Sequence, residues 1–304
     1  MRPPVHVMER LSRVAPLGLR FVDEATGTFI GDGLQVSAFP EGLPAARRQS
    51  VLNRSGIHVL MDLPGLRDLE FGDEHAGDDA WWATHAGQRP YTVEVRDTLG
   101  RFLPCAFRAE LPHRKLFAPD CVSSPPSPLS PLSPNDDGPS VPLFSAPSRQ
   151  AAVPLAVLRA ELWDVDEDAP AAWALVEATD PGGVTVRGVA DEKGRLALFF
   201  QYPRPLDFSP DFSFPAGPPL LEQTWALQIR VHYTRRTPVP ELPDVCLTLS
   251  QPPAGVWTVD SGGPLALLES TLRYGQELVL RTRRPDPQAP PHPRLWITPT
   301  GSTP

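Results

Sequence analysis

Apolar and polar residues alternate with a period of two through most of this chain. Leu17-Gly-Leu19-Arg-Phe21, Leu34-Gln-Val36-Ser-Ala38 and Tyr91-Thr-Val93-Glu-Val95 each put every second side chain on one apolar face, the pattern of a half-buried strand. Between them, Asp23 to Gly33, Arg54-Ser-Gly56 and Asp97-Thr-Leu-Gly100 supply turn residues. Leu17 to Ala38 is expected to open as a hairpin. Further strands are predicted at Ile57 to Met61, Tyr91 to Val95, and Arg101 through Cys105 to Phe107.

A similar order of signals returns later, at Leu158 to Asp164, Ala172 to Val176, Val184 with Val186, and Leu196 to Phe200, which suggests a duplicated module. Trp225-Ala-Leu227-Gln-Ile229-Arg-Val231-His-Tyr233 keeps the alternation longest. A helix would not sustain that period, so a central strand is predicted. Val245 to Leu249, Leu265 to Leu268 and Glu277 to Leu280 read as additional strands, and Arg294-Leu-Trp296-Ile as a brief return after a proline-rich stretch.

The composition agrees with an all-β class. Forty prolines among 304 residues disfavour helix interiors, because proline lacks the amide donor and clashes with the preceding turn. Phe117 to Gln150 contains SSPPSPLSPLSPNDDGPS, without either periodicity, and reads as an extended spacer. The expected organisation is therefore an N-terminal β-sandwich at 13–116, a Pro/Ser-rich linker at 117–150, a C-terminal β-sandwich at 151–284 and a Pro-rich tail at 285–304. A net charge of −8 argues against a nucleic-acid partner, whose phosphates call for a basic surface. No apolar run reaches the length of a membrane-spanning helix, and Met1 to Ser12 lacks the apolar core of a secretory signal. The expected compartment is the cytoplasm. Cys105, Cys121 and Cys246 are odd in number and widely spaced, which suits reduced thiols better than a disulfide framework or a zinc site. Cys105 and Cys246 read as small core residues within strands.

Trp163-Asp164, the strand at Ala172 to Val176, and Gly188-Val-Ala-Asp191-Glu-Lys-Gly194-Arg-Leu-Ala-Leu together resemble the carboxypeptidase regulatory-like family of transthyretin-type sandwiches. The resemblance implies Ig-like or transthyretin-like architecture, a hairpin turn at Asp191 to Gly194, and a role as spacer or docking surface. Asn53-Arg-Ser-Gly56 is the looser counterpart in the first half. Leu17-Gly-Leu-Arg-Phe-Val-Asp23, Asp62-Leu-Pro-Gly65-Leu, Arg101-Phe-Leu-Pro104 and Pro142-Leu-Phe-Ser-Ala-Pro-Ser-Arg149 are similar to segments of uncharacterised accessory proteins of phage-tail-like contractile injection systems.

Candidate chemistry is sparse. Asp260-Ser261-Gly262-Gly263-Pro264-Leu265 is similar to the nucleophile string of chymotrypsin-like proteases. Val259 replaces the usual leading glycine, no base-bearing segment lies upstream, and a turn is the simpler reading. Asp73-Glu-His75, Asp78-Asp79 and His85 flank Trp81-Trp82 in an acidic loop without any fixed ligand spacing. Asp164, Asp166, Glu167 and Asp168 follow a strand too closely to converge as an acid/base pair and read as a surface turn. Trp163, Trp173, Trp225, Phe199, Phe200 and Tyr202 are expected in the core. Phe208, Phe212 and Phe214, set among prolines, form a candidate partner-docking segment, and Trp81 with Trp82 a candidate ligand loop. No catalytic residue, cofactor or metal is expected. The predicted role is a non-enzymatic structural or adaptor component, with other protein subunits as partners. A carbohydrate or cell-surface binding module is the alternative.

Overall fold

The computed structural model describes residues 13–70, 87–122, 138–150, 155–203, 219–258, 263–282 and 293–300. The fold is nearly all β, as the alternation requires. In the first half, Leu34–Pro40 pairs antiparallel with Arg89–Asp97, which pairs in turn with Cys105–Leu111, while Arg48–Gln49 lies on the outer edge. The inward faces are the alternate positions: Tyr91, Val93 and Val95 are buried on one strand, and Cys105, Phe107, Ala109 and Leu111 on the next. Asp97 caps the turn between those strands. Its carboxylate accepts from the amides of Leu99 and Phe102 and from the Arg101 guanidinium, and Gly100 takes the left-handed conformation at φ +67°.

Opposite this sheet, Leu17–Leu19 lies between Leu116–Phe117, parallel, and His58–Leu60, antiparallel. Phe21–Asp23 lies between Val141–Leu143, parallel, and Phe29–Ile30, antiparallel. The expected opening hairpin is therefore corrected: the chain breaks at Arg20 into two strands of different sheets, and Leu34–Pro40 crosses to the facing sheet. The spacer expected at 117–150 is built into this core at its ends. Val141 and Leu143 are almost fully buried, and the amide of Leu103 donates to the Phe144 carbonyl. The stretch 123–137 lies outside the described residues.

In the second half, Leu155–Asp164 buries Ala156, Leu158, Ala160, Leu162 and Asp164 in strict alternation. It pairs antiparallel with Arg195–Gln201, and parallel with both Leu278–Leu280 and Leu295–Pro299. Thr224–His232 is central, pairing with Leu175–Thr179, Pro253–Val256 and Leu268–Arg273. The tail expected from 285 contains a core strand, with Leu295, Trp296 and Ile297 buried. In the second half the first strand runs parallel to the last, and in the first half the two opening strands run parallel to its two closing ones.

Three further expectations are corrected. Val245–Leu249 is a short α-helix instead of a strand, started by Asp244, whose carboxylate accepts from the Leu247 amide at 2.8 Å. Cys246 on that helix is bonded to Cys121, so these two cysteines are a disulfide and only Cys105 is a free thiol. The turn at Asp191 to Gly194 forms as expected, but it carries the chain from the strand Thr185–Val189 to Arg195–Gln201 in a different pairing set, so it is a corner between sheets and not a hairpin.

Candidate functional site

Each half has its own buried core, and a third cluster joins them: Leu103, Phe144 and Ala146 from the first half meet Ala172, Trp173, Leu175 and Val189 from the second. Trp173 is the anchor, 1% exposed and held at φ 62° in a turn ahead of Leu175–Thr179. Its indole N–H donates to the Pro240 carbonyl at 3.0 Å, and its own carbonyl accepts from Gln251.

Polar clamps surround this apolar seam. The Arg149 guanidinium grips both carboxylate oxygens of Asp23 at 2.9 and 2.6 Å and donates to Ser145 Oγ at 2.8 Å. It also lies over Phe102 of the first half and Phe199 of the second, at 5.0 and 5.4 Å from the ring centres. Arg187 donates to Glu24 through both Nε and Nη2, and Arg159 to the Pro147 carbonyl. Burial pushes the Glu24 carboxyl above its usual range, against the pull of Arg187. A small apolar cleft opens beside the seam, lined by Leu103, Cys105, Phe144, Val189, Val245 and Thr248. Burial, helped by the Asp244 charge, pushes the Cys105 thiol up to about 12, which keeps it protonated and unreactive.

Of the residues nominated by the sequence, Trp173 and Phe199 lie at this seam. Trp81, Trp82, Phe208, Phe212 and Phe214, with Asp73, His75, Asp78, Asp79, His85, Asp260 and Ser261, lie outside the described residues. The aromatic set divides. Trp173, Trp225, Phe199 and Phe200 are buried, whereas Trp163 is half-buried beneath the Arg294 guanidinium at 3.4 Å, and Tyr202 packs on Trp225 and Tyr274. The acidic turn is corrected: Asp164 is 1% exposed, and Asp164, Asp166 and Glu167 do converge, on Arg235. That arginine comes from a separate segment and grips Asp164 through Nε at 2.6 Å and Nη2 at 2.9 Å. Asp168 accepts from the Trp163 indole. The arrangement binds two segments of the second half together, which is what a bidentate guanidinium–carboxylate pair does best.

The described histidines are engaged structurally. His58 Nε2 faces the Gly31 carbonyl at 3.0 Å, so it carries the proton, and Nδ1 accepts from Ser50 Oγ at 2.9 Å. His232 sits between Glu177 and the Gln251 carbonyl, and His113 lies edge-on to Phe117. Burial holds His58 and His113 below their usual titration range. A folded-state pKa below the unfolded value means the folded protein binds fewer protons. The associated stability is complete above pH of about 6.5 and is lost as the pH falls below it. The urea midpoint is therefore expected to fall from pH 7 to pH 5, with a shallower slope in His113→Gln. Equal slopes in the two proteins would remove His113 from this account.

No protein-family model matches the chain, and no curated protein matches it. Among solved structures it is similar at 10% identity to the TIE protein of Bacillus anthracis, over 86% of this chain and 44% of that one, with a TM-score of 0.23. A streptococcal ancillary pilin matches at 10% identity over 89% of this chain and 62% of its own, with a TM-score of 0.22. The shaft pilin SpaA of Lactobacillus rhamnosus GG matches at 9% identity over 97% and 100%, with a TM-score of 0.21. The chain thus spans less than two thirds of the first two proteins. Scores this low carry no argument about function.

Sequence reasoning missed Arg149, Arg235 and the Cys121–Cys246 pair. A weak signal existed for the first: Arg149 ends one of the four segments that carry the looser family resemblance. That segment supplies a core strand, one wall of the seam, and the arginine that closes it.

Proposed function

We propose that this chain is a non-enzymatic structural or adaptor protein, a pair of Ig-like β-sandwiches held at one mutual orientation for use in a multiprotein assembly. The observation that carries this reading is the seam: the packing of Trp173 with Leu103 and Phe144, Arg149 over Phe199, the Arg187–Glu24 pair, the Arg159–Pro147 hydrogen bond and the Cys121–Cys246 bond all cross between the halves. A fixed angle between two modules is what a subunit needs when its neighbours must be spaced reproducibly. The described chemical groups support it too, since His58, His113, His232 and the Asp164 cluster are all committed to structural contacts. A contractile, phage-tail-like particle is the finer form of the proposal, resting on the four segment resemblances. The disulfide favours an oxidising space over the cytoplasm expected from the sequence.

The test is purification of the native protein from its own cells, with mass spectrometry of the accompanying subunits and negative-stain microscopy. Recovery of a fixed stoichiometric set with rod-shaped particles supports the assembly reading. A solitary monomer that binds a glycan array instead moves the function to the carbohydrate-binding alternative, with Trp81 and Trp82 as the stacking pair to mutate first.

A further inference from the structure

The helix Val245–Leu249 belongs by sequence to the second half, yet it is seated on the core of the first. Val245 is part of the first core, the amide of Ala106 donates to the Pro243 carbonyl at 2.9 Å, and Asp244 bridges to Ala106. Immediately after the helix, Gln251 returns to the second half through Trp173 and the Thr234 amide. The helix is a peg of 5 residues between two bodies. A helix this short has almost no stability of its own, so what holds its position is its seat and the bond from Cys246 to Cys121.

Three further observations converge there. The helix forms one wall of the apolar cleft, through Val245 and Thr248, opposite Leu103, Pro104 and Phe144. Thr248 Oγ has no hydrogen-bond partner although Thr248 is only 3% exposed, a group that gains by reaching water. The third cysteine, Cys105, lies in the same cleft beneath the helix, while Cys121 and Cys246 are both half-buried and within reach of a reductant.

We propose that the Cys121–Cys246 disulfide is a redox latch: its reduction frees the helix from the first core, opens the junction cleft and uncovers the Cys105 thiol. The electron donor is a dithiol. Its thiolate attacks one sulfur of the disulfide, its second thiol resolves the mixed disulfide, and two electrons with two protons pass to Cys121 and Cys246, leaving the donor as its own disulfide. The latch stands whether or not an assembly forms.

The test uses the full chain. Cys105 labelling by a maleimide is followed by peptide mapping in the oxidised protein, in the dithiothreitol-reduced protein, and in the Cys121→Ser/Cys246→Ser variant, where Cys105 is the only thiol. Hydrogen exchange is measured on the same samples. The latch predicts at least a tenfold faster Cys105 labelling in the reduced and variant proteins. Faster exchange should be confined to 243–250 and the adjoining end of Cys105–Leu111, with Thr224–His232 as protected as before. Unchanged labelling overturns the latch, as does protection lost equally along Thr224–His232, which would make the bond a staple for the whole fold.

Discussion

Replacing Arg149 with alanine is expected to lower the unfolding free energy by about 3–5 kcal/mol, the range for removing one partner of a buried ion pair. Asp23 is 2% exposed and Arg149 16%, so the pair is far from the screened surface salt bridges that contribute little. Removing the guanidinium also strips cover from Phe102 and Phe199 and leaves Ser145 Oγ without its donor. Asp23 retains the Ala25 amide at 3.0 Å and the Thr26 hydroxyl at 2.8 Å, which satisfy some of its lone pairs but leave the charge uncompensated. The double variant Asp23→Asn/Arg149→Met should recover much of the loss, because no buried charge then lacks a partner. Urea denaturation of the three proteins measures this. A single substitution losing under about 1 kcal/mol would place the pair with ordinary surface bridges.

Arg149 also shows where reading the sequence reached its limit. Alternation is a local property, so the strands Leu155–Asp164, Thr224–His232 and Arg89–Asp97 were legible through their alternating cores, Leu158 to Asp164, Trp225 to Tyr233 and Tyr91 to Val95, but not at their ends. Period two tells which face a side chain takes, but not which strand lies beside it. The sequence Leu17 to Asp23 gave no sign that Arg20 separates two strands with different neighbours. Cys121 and Cys246 are 125 residues apart, and nothing in their spacing predicts that a helix of the second half would be seated on the first. Val245 to Leu249 was misread because five mostly apolar residues fit either period. The discriminating signal was outside the run, in Asp244 as an N-cap. The candidate site was less legible than the fold. Its members are single residues from distant segments, whereas the stretches nominated for docking and ligand binding, at Trp81-Trp82 and Phe208 to Phe214, lie outside the described residues.

The turn that was legible carries the second large prediction. Gly194→Ala is expected to cost about 2–5 kcal/mol, combining about 1–2 for an L-residue in the left-handed region with about 1–3 for overpacking. Gly194 has φ +74°, and a methyl there would be driven into the Leu162 carbonyl oxygen and against the Ala171 amide that donates to it. Asp191 fixes the turn from the other side, its carboxylate accepting from the amides of Lys193 and Arg195 at 2.9 and 2.8 Å. The corner is thereby pressed onto the strand Leu155–Asp164, since the Leu162 amide donates to the Gly194 carbonyl at 2.7 Å. Gly275 provides the control. It has φ +70° with open space where a side chain would go, so Gly275→Ala should show the conformational part alone, about 1–2 kcal/mol. Equal losses in the two variants would mean that the corner yields without disturbing the strand. A clear excess at Gly194 would mean that the turn is held by its contact with Leu162, the contact that sets the path from one sheet to the next.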